Sequence, residues 1–371
     1  MRILHIVSLM SDDGEYGGPA KVAQEIAAEL SNRSHSVLLL AGSRNRDLKS
    51  DYGNLVVEKI KVKTYLKKLK FSSMYSHKFF FKLLINIKNA DIVHIHFGRE
   101  ILSFMSAILC VILRKPFVIQ THGMCVPSDR LFLQFIDKTA TTNLLNRSLK
   151  LILLSAKEET EMQNHNLQVA SIIIPNGIGK NALKKRKWPA ETARVAFCSR
   201  LHPQKGVIKF IEVAKSFNSY DPFGVNIYFE IFGPDGGDLP KVMNILSKLG
   251  AETKISYKTS LNNQEVLDML RQVDVLILPS KKDAYPMVIL EAMSVGTSIL
   301  VMPSCGFSQL ISKFEPNFVA KSEDVEGLII ALKNQFKVGL REPKEIQDFA
   351  RQNFSLKSLV DVLEQVYTEK I

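Results

Sequence analysis

The chain has 371 residues, 46% of them hydrophobic and 23% charged, with a mean hydropathy near zero. That composition supplies cores for two or three domains and excludes a disordered or fibrous chain. The formal net charge of +12 points to anionic partners, and the four cysteines (Cys110, Cys125, Cys198, Cys305) are too widely spaced for a zinc or disulfide framework, which fits a reducing compartment.

In chain order, strands and helices alternate. Residues 3–7 read as a first strand rather than a signal sequence. A glycine loop follows, then a helix over 19–30 with Pro19 suited to its first turn. Strands are expected over 36–41, 91–96, 117–120, 151–155 and 171–174, with helices over 101–113, over 131–146 and from 157. The apolar run 101–113 is shorter than the roughly 20 residues of a membrane span, so it is expected to be a buried helix. Pro175-Asn176-Gly177-Ile178-Gly179 and the charged run Lys184-Lys185-Arg186-Lys187 form a linker of turn formers and solvated charge. Beyond it come strands over 195–199, 226–232, 253–257, 274–278, 298–302 and 317–320, then an amphipathic helix over 356–366. This alternation predicts an α/β fold of two doubly wound domains with parallel sheets covered on both faces. The domains are expected over 1–180 and 181–354, with 355–371 a terminal helix. Ligands of such sheets bind at the carboxyl ends of the strands.

The charge is unevenly placed. From Lys59 to Lys88 there are nine lysines and no acid, interleaved with Tyr65, Phe71, Tyr75 and Phe79-Phe80-Phe81. Lysine and aromatic residues on amphipathic helices suit an anionic bilayer surface. A solvated basic face over core aromatics fits the same composition. No base-reading motif accompanies it, so no nucleic-acid partner is expected.

Chemistry-bearing residues gather at the expected strand ends. Gly17-Gly18 precedes the first helix, where bare backbone admits a ligand or simply turns tightly. Thr121-His122-Gly123 ends the strand over 117–120, placing a histidine that either donates to a ligand or serves structure. His94 and His96 share a strand face, with no third ligand at useful spacing, so no metal site is expected. Ser199-Arg200-Leu201-His202-Pro203-Gln204-Lys205-Gly206 opens the second half, and an arginine fork beside a lysine there suits a diphosphate. Gly233-Pro234 lies in a glycine-rich loop after the next strand. Finally Asp283 and Glu291 flank a helix start whose first amides, at Met287 and Val288, lack intrahelical partners. Free amides suit phosphate and carboxylates suit sugar hydroxyls.

The order of these motifs resembles the group 1 (family 4-type) glycosyltransferases of the GT-B architecture, two Rossmann-like domains facing a cleft. The resemblance covers almost the whole chain, most strongly 195–302. It implies retaining, metal-independent transfer of a hexose-type sugar from a nucleotide-diphosphate donor to a saccharide or lipid-linked acceptor, with no cofactor. It assigns Arg200 and Lys205 to the diphosphate, Glu291 to the ribose, Asp283 to the transferred sugar and the Met287 and Val288 amides to phosphate. It sets Gly17, Gly18, Gly233 and Pro234 beside the donor, His122 near its sugar, and the terminal helix against the first domain. A cytoplasmic enzyme peripheral to the membrane, in surface polysaccharide or lipopolysaccharide synthesis, is the corresponding setting. Asp283 stands where the family usually has Glu, and no Asp follows Asn176-Gly177. These departures keep a catalytically silent nucleotide-sugar-binding subunit as the alternative.

Overall fold

Short apolar runs between helices become two separate parallel sheets in the computed structural model, which describes residues 1–10, 17–65, 72–126, 131–179, 191–218, 225–249, 254–281 and 283–369. The chain divides into one unit of Met1–Gly177 with Leu356–Ile371 and another of Ile178–Ser355. The linker run at 184–187 lies outside the described residues.

The first unit contains strands β1 (Arg2–Val7), β2 (Ser36–Ser43), β3 (Leu48–Tyr52), β4 (Leu55–Lys61), β5 (Lys63–Thr64), β6 (Met74–Tyr75), β7 (Ile92–His96), β8 (Phe117–Gln120), β9 (Leu151–Leu153) and β10 (Ser171–Ile173). Eight of them form one sheet in the order β10-β9-β8-β7-β1-β2-β4-β3, and β5 pairs with β6. All pairings in the large sheet are parallel except that of edge strand β3 with β4. Central strand β7 is buried at every position, as expected for a parallel strand covered on both faces. Chain order reverses between β1 and β7, which makes their carboxyl ends a topological switch point.

Helices α1 (Gly17–Asn32), α2 (His77–Asn89), α3 (Ile101–Ile112), α4 (Leu131–Ile136), α5 (Thr142–Leu145) and α6 (Ala156–Met162) flank this sheet. A π-helical turn, Asp137–Thr141, joins α4 to α5. Three readings from sequence need correction. Among the described residues the basic segment is not all helix: Lys59 and Lys61 lie on β4 and Lys63 on β5, because Leu55–Lys61 pairs in parallel with β2. Gly17 and Gly18 belong to the first turn of α1 rather than to the preceding loop. Helix α3 is not wholly buried: Ile101, Ile108 and Ile112 form an outward stripe, and Ile112 is 68% exposed.

The second unit holds β11 (Thr192–Cys198), β12 (Asn226–Phe232), β13 (Ile255–Tyr257), β14 (Val275–Leu278) and β15 (Ser298–Val301), in the order β13-β12-β11-β14-β15. Every pairing is parallel. The order reverses between β11 and β14, a second switch point. The covering helices are α7 (Val207–Asn218), α8 (Leu239–Lys248), α9 (Asn263–Gln272), α10 (Met287–Ser294), α11 (Ser308–Phe314), α12 (Val325–Val338) and α13 (Pro343–Asn353). The strand expected over 317–320 is not formed. Glu315 accepts from the Asn317 amide at 3.1 Å and caps a 3-10 turn, Pro316–Phe318, leaving one isolated bridge between Val301 and Val319.

The last helix, α14 (Leu356–Thr368), packs within the first unit. Arg33 bonds Asp361 and Glu364 at 2.5 and 2.6 Å, His35 bonds Glu364 at 2.7 Å, and buried Tyr367 reaches His94. Its buried residues Leu359, Val360, Leu363 and Val366 repeat at helical spacing.

Candidate functional site

In the second unit, the carboxyl ends of β11, β12 and β14 bring their loops together. Gly233 has a φ of 141°, and a Cβ there would lie 2.0 Å from the Ser199 carbonyl, so only glycine lets these loops touch. Gly206 has a φ of 76° and would meet the Pro279 carbonyl at 2.3 Å. The loop of Arg200 and Lys205 is thus held against both neighbouring loops. The Leu201 amide donates to the Pro234 carbonyl at 2.9 Å, and the Arg200 side chain lies over Gly236. Tyr257 donates its hydroxyl proton to the Gly233 carbonyl at 3.1 Å.

Across the switch point, Lys205 Nζ bonds Asp283 Oδ2 at 2.5 Å, and both side chains are largely shielded from solvent. The Gly306 amide donates to the Asp283 carbonyl at 3.0 Å, fixing that loop from the other side. Pro286 is the N-cap of α10, with φ −71° and ψ 108°. The amides of Met287 and Val288 follow it and have no partner among the described residues. Glu291 is buried on the next turn. A lysine, an arginine, two carboxylates and two bare amides therefore occupy one strand-end region of this unit.

In the first unit, His122 takes a left-handed conformation with φ 51°, uncommon for a residue with a side chain. Two residues that sequence reasoning missed hold its loop. Glu158 is buried and accepts from the Gly123 amide at 2.7 Å, the Leu154 amide at 2.7 Å and the Thr121 hydroxyl. Arg99 binds the Asp137 carboxylate through two nitrogens, each at 2.7 Å, and donates to the carbonyls of Met124, Cys125 and Val126. Asp137 begins the π-turn, a feature frequent where a helix is re-aimed for function. The sequence did carry one signal for Glu158: Ser155-Ala156-Lys157-Glu158 has the capping-box pattern. The Ser155 side chain accepts from the Glu158 amide at 3.2 Å, but the glutamate turns to the histidine loop instead of closing the box.

The histidine pair on β7 has company. His5 of β1 pairs in register with His94, and nitrogens of His5, His94 and His96 lie within 4.8 Å of one another. A third histidine thus exists where sequence spacing gave none. The rings of His94 and His96 stack 7° from parallel with centroids 4.5 Å apart. A ligated metal sits near the plane of each imidazole, and two near-parallel planes offer no point close to both nitrogens. This arrangement does not fit an ion as it stands. Burial without a compensating charge lowers the pKa of His5 to about 3 and pushes His94, His96 and His122 down as well. All four rings are neutral at pH 7.

Nearby, Glu100 is buried at the start of α3, accepting from Ser103 at 3.0 Å and Ser8 at 3.3 Å. Burial raises its carboxyl above the usual range, and the two hydroxyls oppose the shift.

Gly17 and Gly18 lie at the start of α1, and a Cβ at Gly18 would meet nothing within 4 Å. The loop before them, 11–16, lies outside the described residues. The basic segment differs from its sequence reading in charge as well as in helix content. Lys78 pairs with Asp47 at 2.5 Å and Lys82 with Glu58 at 2.7 Å, acids the fold delivers from outside the run. Lys67, Lys68, Lys70 and Phe71 lie outside the described residues. Beside α2 is an apolar groove of about 610 Å³ lined by Phe80, Ile101, Phe104, Ile108, Ile112 and Ile136 among others.

Two family descriptions match successive parts of the chain: Glycosyltransferase Family 4 over residues 16–180 and Glycosyl transferases group 1 over 180–352. The chain is similar to an uncharacterized glycosyltransferase of Methanocaldococcus jannaschii, 23% identical, with 86% of each chain covered. It is 27% identical to the UDP-Gal:alpha-D-GlcNAc-diphosphoundecaprenol alpha-1,3-galactosyltransferase of Escherichia coli, over 78% of each. Among solved structures it resembles sucrose-phosphate synthase from Thermosynechococcus elongatus, with TM-score 0.77, 14% identity and coverage of 99% and 98%. It also resembles Anabaena HepE in complex with UDP and glucose, with TM-score 0.75, 18% identity and full coverage of both chains.

Proposed function

Because the chain belongs to the group 1, family 4-type glycosyltransferases of the GT-B architecture, we propose that it transfers a hexose-type sugar, with retention, from a nucleotide-diphosphate donor to a saccharide or lipid-linked acceptor. The observation that carries this reading is the strand-end region at β11 and β14. There Arg200, Lys205, Asp283, Glu291 and the bare amides of Met287 and Val288 share one loop cluster.

Breaking the bond between the anomeric carbon and phosphate builds positive charge on the sugar and negative charge on the departing diphosphate. Arg200, Lys205 and the start of α10 stabilise the latter, and preorganised donors of this kind contribute several kcal/mol. Fixed cations in that role make the reaction metal-independent. Glu291 suits the ribose hydroxyls and Asp283 the sugar hydroxyls, while a phosphate oxygen takes the acceptor's proton. The E. coli relative, named for a diphosphoundecaprenol acceptor, favours an acceptor held on a lipid.

A membrane-associated acceptor has structural support of its own. Ile101, Ile108 and Ile112 of α3 line the apolar groove with Phe80 of α2 and Ile136 of α4, and those two neighbouring helices expose Phe81, Ile85, Leu131 and Phe135. A patch of this kind marks an interaction surface. The contact proposed is peripheral, made by these exposed side chains; no helix among the described residues is long and apolar enough to cross a membrane.

The test is nucleotide release from UDP-, GDP- and ADP-sugars by the wild type, Arg200→Ala and Glu291→Ala. Slow hydrolysis of one donor by the wild type, reduced about 100-fold or more in Arg200→Ala, supports transfer. Binding of a donor by the wild type, with no release in the presence of lipid-linked acceptors, would leave only the silent-subunit alternative.

A further inference from the structure

We infer that His5 and His96 are positioning residues that set the proton on His122, making His122 a hydrogen-bond donor through Nδ1. The three side chains form one chain of contacts. His5 Nδ1 lies 3.1 Å from His96 Nε2, and His96 Nδ1 lies 2.8 Å from His122 Nε2. His5 and His96 are fully buried and His122 is half-buried. His122 Nδ1 has no partner among the described residues, and His5 Nε2 is buried without one.

A neutral imidazole carries one proton on two nitrogens, so each ring in such a chain donates on one side and accepts on the other. Only two arrangements satisfy both contacts. In the inward one, every ring is protonated at Nε2: His122 donates to His96, His96 donates to His5, and His5 is left with a buried N–H and no acceptor. In the outward one, every ring is protonated at Nδ1: His5 donates to His96, His96 donates to His122, and His122 presents a free N–H. The buried end then carries only an unused lone pair. A buried N–H without an acceptor is the rarer defect, which selects the outward arrangement.

The neighbours do not supply the missing acceptor. His94 lies against His5 with centroids 4.8 Å apart and planes tilted by 36°, and bonds Tyr367 through Nδ1 at 2.6 Å. Burial holds the Tyr367 hydroxyl protonated, so no phenolate lies beside the rings to act as an anionic acceptor. His94 Nε2 and Gln120 Oε1 are also buried without a partner within bonding distance. No carboxylate contacts the three chained rings among the described hydrogen bonds, so nothing favours an imidazolium there.

The consequence rests on the transferase reading: His122 reaches the sugar as a donor, not as a base. The Thr121–Gly123 loop, held by Glu158, supplies the position, and His96 supplies the tautomer.

The experiment is a two-bond 1H–15N correlation spectrum of the full chain, labelled with 15N-histidine, at pH 7.5. His122→Gln assigns the His122 signals, and His5→Phe and His96→Asn assign the other two rings. The expected result is a neutral His122 with Nδ1 protonated and Nε2 bare, and the same pattern for His5 and His96. A proton on Nε2 of His122, or an averaged mixture of tautomers, overturns the inference.

A second arm separates a tautomer role from a folding role. His96→Asn keeps an amide donor near the Nδ1 position, whereas His96→Phe removes it. The expected outcome is kcat reduced at least tenfold in His96→Phe with donor KM unchanged, and largely restored in His96→Asn. Equal loss in both variants counts against the tautomer role. The spectrum is read on the free protein, so absence of transfer with the outward tautomers intact would sink the transferase reading alone.

Discussion

Nζ of Lys205 lies 2.5 Å from Oδ2 of Asp283, joining two residues that are 78 positions apart in the chain. The lysine ends a 3-10 turn after β11 and the aspartate stands in the loop after β14, so the pair spans the switch point of the second sheet. In the proposed reaction Lys205 faces the diphosphate and Asp283 the sugar. One residue therefore restrains the other's charge until the donor arrives.

This gives the two substitutions opposite signs. Lys205→Ala leaves a carboxylate next to the phosphates and is expected to weaken nucleoside diphosphate binding at least tenfold. Asp283→Asn frees the lysine and is expected to tighten the same diphosphate while lowering turnover of the nucleotide-sugar. Calorimetric titration with the free diphosphate and with the sugar donor separates these effects. Equal weakening of the diphosphate by both variants would refute the division of labour. Because the residues touch, the double variant should not equal the sum of the single ones.

Glu291 is buried one turn into α10. Glu291→Ala is expected to reduce nucleotide affinity by about 1.5–3 kcal/mol, the usual worth of hydrogen bonds to a charged acceptor. Affinity for inorganic pyrophosphate should be unchanged, because the Met287 and Val288 amides and the cations remain. Parallel titrations with a nucleoside diphosphate and with pyrophosphate check this. A comparable loss for both ligands would move Glu291 from the ribose to a structural role.

Much of this site was readable because its residues follow strand ends, and strand ends were readable from short apolar runs such as Val275–Leu278 and Asn226–Phe232. Strand β3, Leu-Lys-Ser-Asp-Tyr, was not, because an edge strand with polar residues lacks the apolar alternation that identifies one. Glu158 and Arg99 escaped notice for a different reason. Their partners are mostly backbone groups of a distant loop, which leave no pattern in the side-chain sequence. His5 sits 89 residues from His94, and only strand pairing brings them together.

Glu158 faces three donors at once: two amides and a hydroxyl. Glu158→Gln replaces one acceptor oxygen with an NH2 group that must face at least one of those donors. The expected cost is about 1–3 kcal/mol of stability, together with a fall in kcat as the His122 loop shifts. Thermal unfolding and steady-state kinetics of the same preparation test both. A stable protein with reduced kcat would still support the positioning role, whereas unchanged values of both would dismiss it.

The neutral histidine layer makes stability depend on pH with a definite sign. His5 has a native pKa of about 3 against 6.5 in the unfolded chain. Between those values the unfolded state holds a proton that the native state lacks, so stability rises with pH and is lost as pH falls below 6.5. The slope is about 1.4 kcal/mol per pH unit for each such histidine. His94 and His96 shift in the same direction. Urea unfolding between pH 7.5 and 5 should therefore show the loss of several kcal/mol, with a shallower slope in His5→Phe. A flat profile across this range would mean that the rings are hydrated in the native protein.

The apolar surface predicts how the protein holds a membrane. Phe81 is 60% exposed and Leu131 is 82% exposed, whereas Lys78 and Lys82 are paired with Asp47 and Glu58. With part of the positive charge neutralised within the protein, insertion of side chains contributes more than attraction to head groups. Exposed pairs of this kind are themselves weak, so salt alters binding without abolishing it. Flotation with anionic vesicles is therefore expected to persist at 0.5 M salt and to be lost when Phe81 and Ile112 are both replaced by aspartate. Lys78→Ala should change it little, since inserted side chains rather than this charge carry the contact. Binding that vanishes in salt and survives the aspartate substitutions would assign the contact to charge instead.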